Sequence, residues 1–78
     1  MTSLPTPEES ARLVLAIFRH HNIPPGRFLE AGALNSQFID IDGSAADYEA
    51  GVRFAIDHGW VELEPPVVRL KPPGFAQM

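Results

Sequence analysis

The chain has 78 residues, of which 45% are hydrophobic and 21% charged, as is ordinary for one small globular domain. It contains no cysteine, which excludes disulfide bonds, thiolate metal sites and a cysteine nucleophile. The formal net charge is −4, whereas DNA-binding domains usually carry a basic face, so the charge argues against DNA as the partner.

The longest uninterrupted apolar run, Leu13 to Phe18, has six residues and cannot span a bilayer. The N-terminus lacks the basic start and apolar centre of a signal peptide. We therefore expect a cytoplasmic protein without membrane contact. One domain over residues 1–78 is predicted, with a structured core at about 6–74 and tails at 1–5 and 75–78.

The first predicted element is a helix from Pro7 to about His21. Thr6 is a candidate N-cap, Pro7 suits the first helical position, and Glu9 completes a capping box. Apolar residues cover a wide part of its surface: Ala11, Leu13, Val14, Leu15, Ile17 and Phe18. A helix of this kind is buried on two sides or presents apolar surface to another chain.

A second helix is predicted from about Gly26 to Gln37, after the break at Pro24-Pro25. Leu34 and Phe38 are spaced i, i+4, as expected for one helix face. The alternation in "FIDI" that follows indicates a short extended segment at residues 38–42.

A third helix is predicted from the N-cap Ser44 to Asp57 or His58, because Asp47 stands three residues after the cap and Gly59 supplies a left-handed stop. Gly51 would let another backbone approach closely. The expected core face consists of Tyr48, Val52, Ala55 and Ile56, with Ala45 and Gly51 beside it.

The segment "WVELEPPVVRLK" predicts a β-hairpin that turns between Pro65 and Pro66. In this register apolar residues pair on one face and Glu62 pairs with Arg69 on the other. Because proline cannot adopt the positive φ of the usual tight turns, the loop must be wider or must contain a cis proline.

The phrases "AIDHGWVEL" and "VVRLKPPGF" resemble the end of a winged helix-turn-helix domain over about residues 7–74. The matching positions are Gly59, Trp60, Val61 and Glu62 in the first phrase, and Leu70, Lys71, Pro72 and Gly74 in the second. The resemblance implies an α+β fold with three helices followed by a two-stranded antiparallel hairpin. Segment 38–43 is longer than the usual turn of that motif.

The resemblance also implies that the helix from Ser44 to His58 would lie in the major groove and the hairpin from Trp60 to Lys71 would be the wing. Candidate nucleic-acid contacts would then be Arg53, Arg69 and Lys71. The outward positions of this helix nevertheless carry one arginine against Asp47, Glu49 and Asp57, a net charge of −2. Such a face would repel phosphate.

No catalytic group, metal site, cofactor site or small-molecule site is predicted. His20 and His21 are adjacent, so they point about 100° apart on a helix and cannot act as an i, i+4 metal pair. The sequence "DIDGS" has its glycine two positions too early for a calcium loop and is better explained as a loop and helix cap.

Two functions remain after these exclusions. The first is a non-catalytic module that binds a protein partner or a second copy of itself, with Leu13, Phe54, Trp60 and Phe75 as the candidate surface. The alternative is a DNA-binding transcriptional regulator of the winged-helix type.

Overall fold

In the computed structural model, which describes residues 6–42 and 44–78, helices pack against a three-stranded antiparallel sheet. The described elements are, in chain order, α1 (Pro7–His20), β1 (Phe28–Glu30), α2 (Ala31–Asp42), α3 (Ala45–Asp57), β2 (Val61–Glu64), β3 (Val67–Leu70) and α4 (Pro72–Ala76). The α+β class is confirmed. The expected arrangement of three helices and a two-stranded hairpin is incomplete, because the described residues add a third strand and a fourth helix.

The start of α1 confirms the predicted capping box. The Thr6 hydroxyl accepts a hydrogen bond from the Glu9 backbone N–H at 3.1 Å, and the Glu9 carboxylate accepts one from the Thr6 N–H at 3.3 Å. Both bonds satisfy donors that a helix N-terminus leaves unpaired. The apolar side of α1 is buried as expected, and its fully or nearly fully buried apolar residues are Ala11, Val14, Leu15, Ile17 and Phe18.

The segment between α1 and α2 corrects the predicted second helix. Residues 28–30 form β1, which pairs with β3 through Leu29 and Val68, and α2 begins at Ala31 and continues to Asp42. The "FIDI" segment is therefore helical rather than extended. Main-chain hydrogen bonds from Gly26 to Leu70 and from Leu70 to Arg27, each of 2.8 Å, lead β1 into the sheet, and this long-range pairing outweighs local helix propensity.

The hairpin has the predicted register: Val61 pairs with Leu70, Leu63 with Val68 and Glu64 with Val67. Its turn contains the cis peptide bond between Pro65 and Pro66, one of the two predicted solutions.

The predicted ion pair between Glu62 and Arg69 is wrong in its acidic partner. Arg69 instead reaches diagonally to Glu64, whose Oε2 accepts bonds from Nη2 at 2.8 Å and from Nε at 3.0 Å. A long side chain can make such a diagonal contact across two strands.

The helix α4 lies against the backbone of Trp60, just before β2, through a glycine. The Lys71 N–H donates to the Trp60 carbonyl at 2.9 Å, and a Cβ at Gly74 would overlap that same carbonyl. Met78 packs against the core. Residues 75–78 were expected to be a tail, and the structure instead continues α4 through Ala76. Residues 1–5 lie outside the described part of the chain.

The helices α1 and α3 cross closely at Gly51. A Cβ at Gly51 would lie 2.7 Å from the carbonyl carbon of Ser10 and 2.9 Å from the nitrogen of Ala11. Ser10 is itself buried at this crossing, with 3% of its surface exposed. The expectation that Gly51 admits another backbone is thus confirmed, and that backbone is α1.

We expect Gly51→Ala to lower the free energy of unfolding by about 1–3 kcal/mol, because the new methyl group would force α1 and α3 apart. Gly32→Ala is the matched control in α2, where an added Cβ meets only the end of the Glu30 side chain at 3.9 Å. There alanine should be neutral or stabilising by up to about 1 kcal/mol. Urea unfolding measures both changes, and a Gly51→Ala protein as stable as the parent would contradict the close crossing.

We expect Trp60→Ala to lower the free energy of unfolding by about 3–5 kcal/mol, because the indole is only 7% exposed and packs in the core. Phe28→Ala provides the comparison, since Phe28 is 50% exposed and should cost far less. Thermal or urea denaturation distinguishes the two. Similar costs for both variants would mean that Trp60 is not a core residue.

Candidate interaction surface

A concave surface lies between α3 and β2 and is called here the α3–β2 cleft. It has a volume of about 770 Å³. It is lined by Ala31, Tyr48, Glu49, Val52, Arg53, Ile56, Asp57 and Leu63.

Two apolar side chains of this cleft are open to solvent. Ile56 is 38% exposed and Leu63 is 46% exposed, although Val68, the strand partner of Leu63, is fully buried. On the same face of β2, Val61 is only 1% exposed, so the apolar face of this strand becomes open toward the hairpin turn. The helical wheel predicted Ile56 in the core, and this is wrong because the core contact of α3 ends at Val52 and Ala55.

The base of the cleft is held by hydrogen bonds to the start of α2. The Ala31 N–H donates to the Pro66 carbonyl at 2.8 Å, and the Tyr48 hydroxyl donates to the Ala31 carbonyl at 3.4 Å. Burial raises the pKa of the Tyr48 phenol above its usual value, so the hydroxyl keeps its proton at neutral pH. The hairpin turn, α2 and α3 are therefore tied together around a preformed cleft.

The rim of the cleft is charged along α3. Glu49, Arg53 and Asp57 follow one another at four-residue spacing and are all exposed, as the sequence predicted. At this spacing each carboxylate is one helical turn from the arginine, so the guanidinium charge is partly compensated within the helix. The exposed face of α3 thus combines apolar surface with a net negative charge.

The four predicted surface residues do not form one patch. Leu13 and Phe54 are half-buried against the core, Trp60 is buried, and Phe75 is 49% exposed. The Phe54 ring stacks on the His58 ring with a centroid distance of 3.9 Å and meets the Trp60 ring edge-on at 5.5 Å, so the three rings form one aromatic cluster. We therefore assign Trp60 to the core rather than to a contact surface.

The three candidate nucleic-acid contacts are also dispersed. Arg53 lines the α3–β2 cleft, whereas Arg69 lies on the outer face of the sheet, where it bonds to Glu64 and donates to the Gly26 carbonyl at 2.7 Å. Lys71 is half-buried at the start of α4. Their charges do not converge on one face.

A second, smaller groove of about 330 Å³ lies between α1 and α2. It is lined by Leu13, Ala16, Ile17, His20, Gln37, Asp40 and Ile41, of which Ile41 is 65% exposed. Helical periodicity in α1 could have indicated Leu13 as part of such a groove, but Ile41 falls in the segment for which an extended conformation was expected.

Within residues 6–42 and 44–78, no group of three or more His, Asp or Glu side chains is arranged to hold a metal ion. None of the helices in this part of the chain has the length and apolar character needed to cross a bilayer. In comparisons with protein-family models, with curated proteins and with solved structures, no significant match to this chain was found.

We expect Leu63→Ala to change the free energy of unfolding by less than about 1 kcal/mol, because nearly half of this side chain is already in solvent. Leu70→Ala is the matched control on β3, where the side chain is fully buried and truncation should cost about 2–5 kcal/mol. Urea unfolding of both variants tests the assignment. A loss at Leu63 as large as that at Leu70 would place Leu63 in the core and remove it from the cleft.

Proposed function

We propose that this protein is a non-catalytic interaction module, built on a winged-helix-like scaffold, that binds protein through the face formed by α3 and β2. The observation that carries the proposal is the pairing of two solvent-exposed apolar side chains, Ile56 and Leu63, in one cleft on that face. Exposed apolar surface rimmed by polar groups is typical of protein-binding sites.

The winged-helix part of the proposal is supported by the order of the elements. A helix, a strand, two helices and a hairpin follow one another, and the sheet order is β1–β3–β2. The link between α2 and α3 is also short, because α2 extends to Asp42 and α3 begins at Ala45. Residues 38–42 of the segment that separated the chain from the standard motif in the sequence belong to α2.

The charge distribution favours protein over DNA. The helix that would enter the major groove presents Glu49, Arg53 and Asp57, which together carry a net charge of −1. Phosphates are usually held by several lysine or arginine side chains, and this face offers one arginine. On the hairpin, Glu62 adds a further acid, and Glu64 compensates the charge of Arg69. DNA affinity arises mainly from phosphate neutralisation, so an acidic face is unfavourable.

The hairpin also lacks the reach of a DNA-contacting wing. Its turn follows directly after Glu64, and the Pro66 carbonyl accepts a hydrogen bond from Ala31 at 2.8 Å. The first residue of β3, Val67, pairs with Glu30 of β1, so the sheet continues to the base of the turn. A hairpin tied along its length to β1 and α2 has no free portion that could extend along a duplex.

The non-catalytic part of the proposal is supported by the surroundings of the histidines. His21 Nε2 contacts the Gln37 side-chain oxygen at 2.7 Å, and His58 Nδ1 contacts the Phe54 carbonyl at 3.0 Å. Neither contact is with a nucleophile or an acid that a general base would activate or be oriented by.

The alternative function, a DNA-binding regulator, is favoured only by the order of the elements, and one titration separates it from the proposal. We expect the chain to show no binding to a fluorescently labelled duplex at low salt, when measured by fluorescence anisotropy. Affinity that is measurable at low salt and falls steeply as salt is added would overturn the proposal, because that dependence is the signature of phosphate contacts.

A positive control keeps this experiment informative. The variant that carries Glu49→Lys and Asp57→Lys changes the net charge of the α3 face by four units while leaving the buried face of α3 untouched. If the acidic rim is what excludes DNA, this variant should acquire salt-sensitive duplex binding.

A further inference from the structure

The acidic charge of the chain is concentrated on the two elements that form the α3–β2 cleft. Together α3 and β2 carry Asp47, Glu49, Asp57, Glu62 and Glu64 against a single arginine, a net charge of −4. This equals the formal net charge of the whole chain, which is also −4, so the remaining residues sum to zero. Of these acids, Glu49 and Asp57 line the cleft beside Arg53, which gives its lining a net charge of −1. Glu62 and Glu64 alternate with Leu63 along β2 and therefore lie on the opposite face of the sheet.

We propose that the α3–β2 cleft binds a basic segment of another protein, in which apolar anchor residues flanked by lysine or arginine pack on Ile56 and Leu63. This inference rests on the proposed function and specifies its partner. Apolar anchors would bury the two exposed side chains, and the cationic flanks would meet the Glu49 and Asp57 carboxylates on the α3 rim of the cleft.

Charge complementarity selects this occupant over a second copy of the chain. A second copy would bring a net charge of −4 to an acidic face. Two of its own cations are also already engaged, since Arg12 pairs with Glu8 at 3.2 Å and Arg69 with Glu64 at 2.8 Å. Like charges brought together at an interface oppose association.

The cleft is a preformed site, because contacts within the protein fix its walls without a ligand. The position of α3 is set by its close crossing with α1 at Gly51, and the hairpin turn is bonded to Ala31. A partner segment therefore meets a surface that needs little ordering, which lowers the cost of binding.

The test is selection of a random peptide library displayed on phage against the full chain at low salt, followed by anisotropy titration of the selected peptides. We expect enrichment of sequences that combine lysine or arginine with leucine-like anchors. Ile56→Ala should weaken their binding about tenfold or more, as truncation of a central apolar anchor does. Ile41→Ala, a matched substitution at the more exposed isoleucine of the groove between α1 and α2, should leave binding unchanged.

The variant with Glu49→Gln and Asp57→Asn tests the charge part of the inference, because it keeps the shape of the rim and removes two carboxylates. It should bind the basic peptides several-fold more weakly and with less dependence on salt. Thermal melting establishes that each variant is folded.

Several results would overturn the inference while leaving the proposed function intact. These are selected acidic peptides whose binding depends on Ile56, a homodimer that Ile56→Ala dissociates, and failure to enrich any peptide. Peptides whose binding depends on Ile41 rather than Ile56 would overturn the proposed function as well, because that function places binding on the face formed by α3 and β2. Salt-sensitive duplex binding by the parent chain would instead overturn the proposed function.

Discussion

The close crossing of α1 and α3 determines which side of α3 is left open to solvent as the proposed binding face. Gly51 brings the backbone of α3 within contact distance of Ser10 and Ala11, and this turns Val52 and Ala55 toward the core. With that side committed to α1, the opposite side of α3 must face solvent. A side chain at position 51 would move the helix and with it one wall of the α3–β2 cleft.

The second wall of the cleft is formed by β2, and the pairing of the strands in the sheet sets its position. Because β1 pairs with β3, the central strand is β3 and the hairpin strand β2 is left at an edge with Leu63 only half covered. The same pairing draws the hairpin turn to Ala31 at the start of α2. One arrangement thus creates an apolar cleft and, at the same time, removes the projecting loop that contact with a duplex would need.

Sequence patterns predicted the local elements well and the long-range ones poorly. The caps at Thr6 and Ser44 and the hairpin register were predictable because each depends on neighbouring or paired residues. The strand β1 could not be predicted from local patterns, because its three residues become a strand only by pairing with β3, far along the chain. Ile56 was misassigned for a related reason: a helical wheel gives the direction of a side chain but not where the core ends. The acidic outward side of α3 was predictable, whereas its junction with Leu63 to form a cleft required the fold.

We propose that the α3–β2 cleft binds a basic protein segment and not DNA, and methyl NMR of the cleft residues can test this proposal. Spectra of the full chain would be recorded with a selected basic peptide and, separately, with duplex DNA at low salt. We expect the peptide to shift the methyl signals of Ile56 and Leu63 and to leave those of Ile41 unchanged, and we expect DNA to shift none of them. Methyl shifts at Ile56 and Leu63 with DNA, or peptide shifts confined to Ile41, would contradict the proposal.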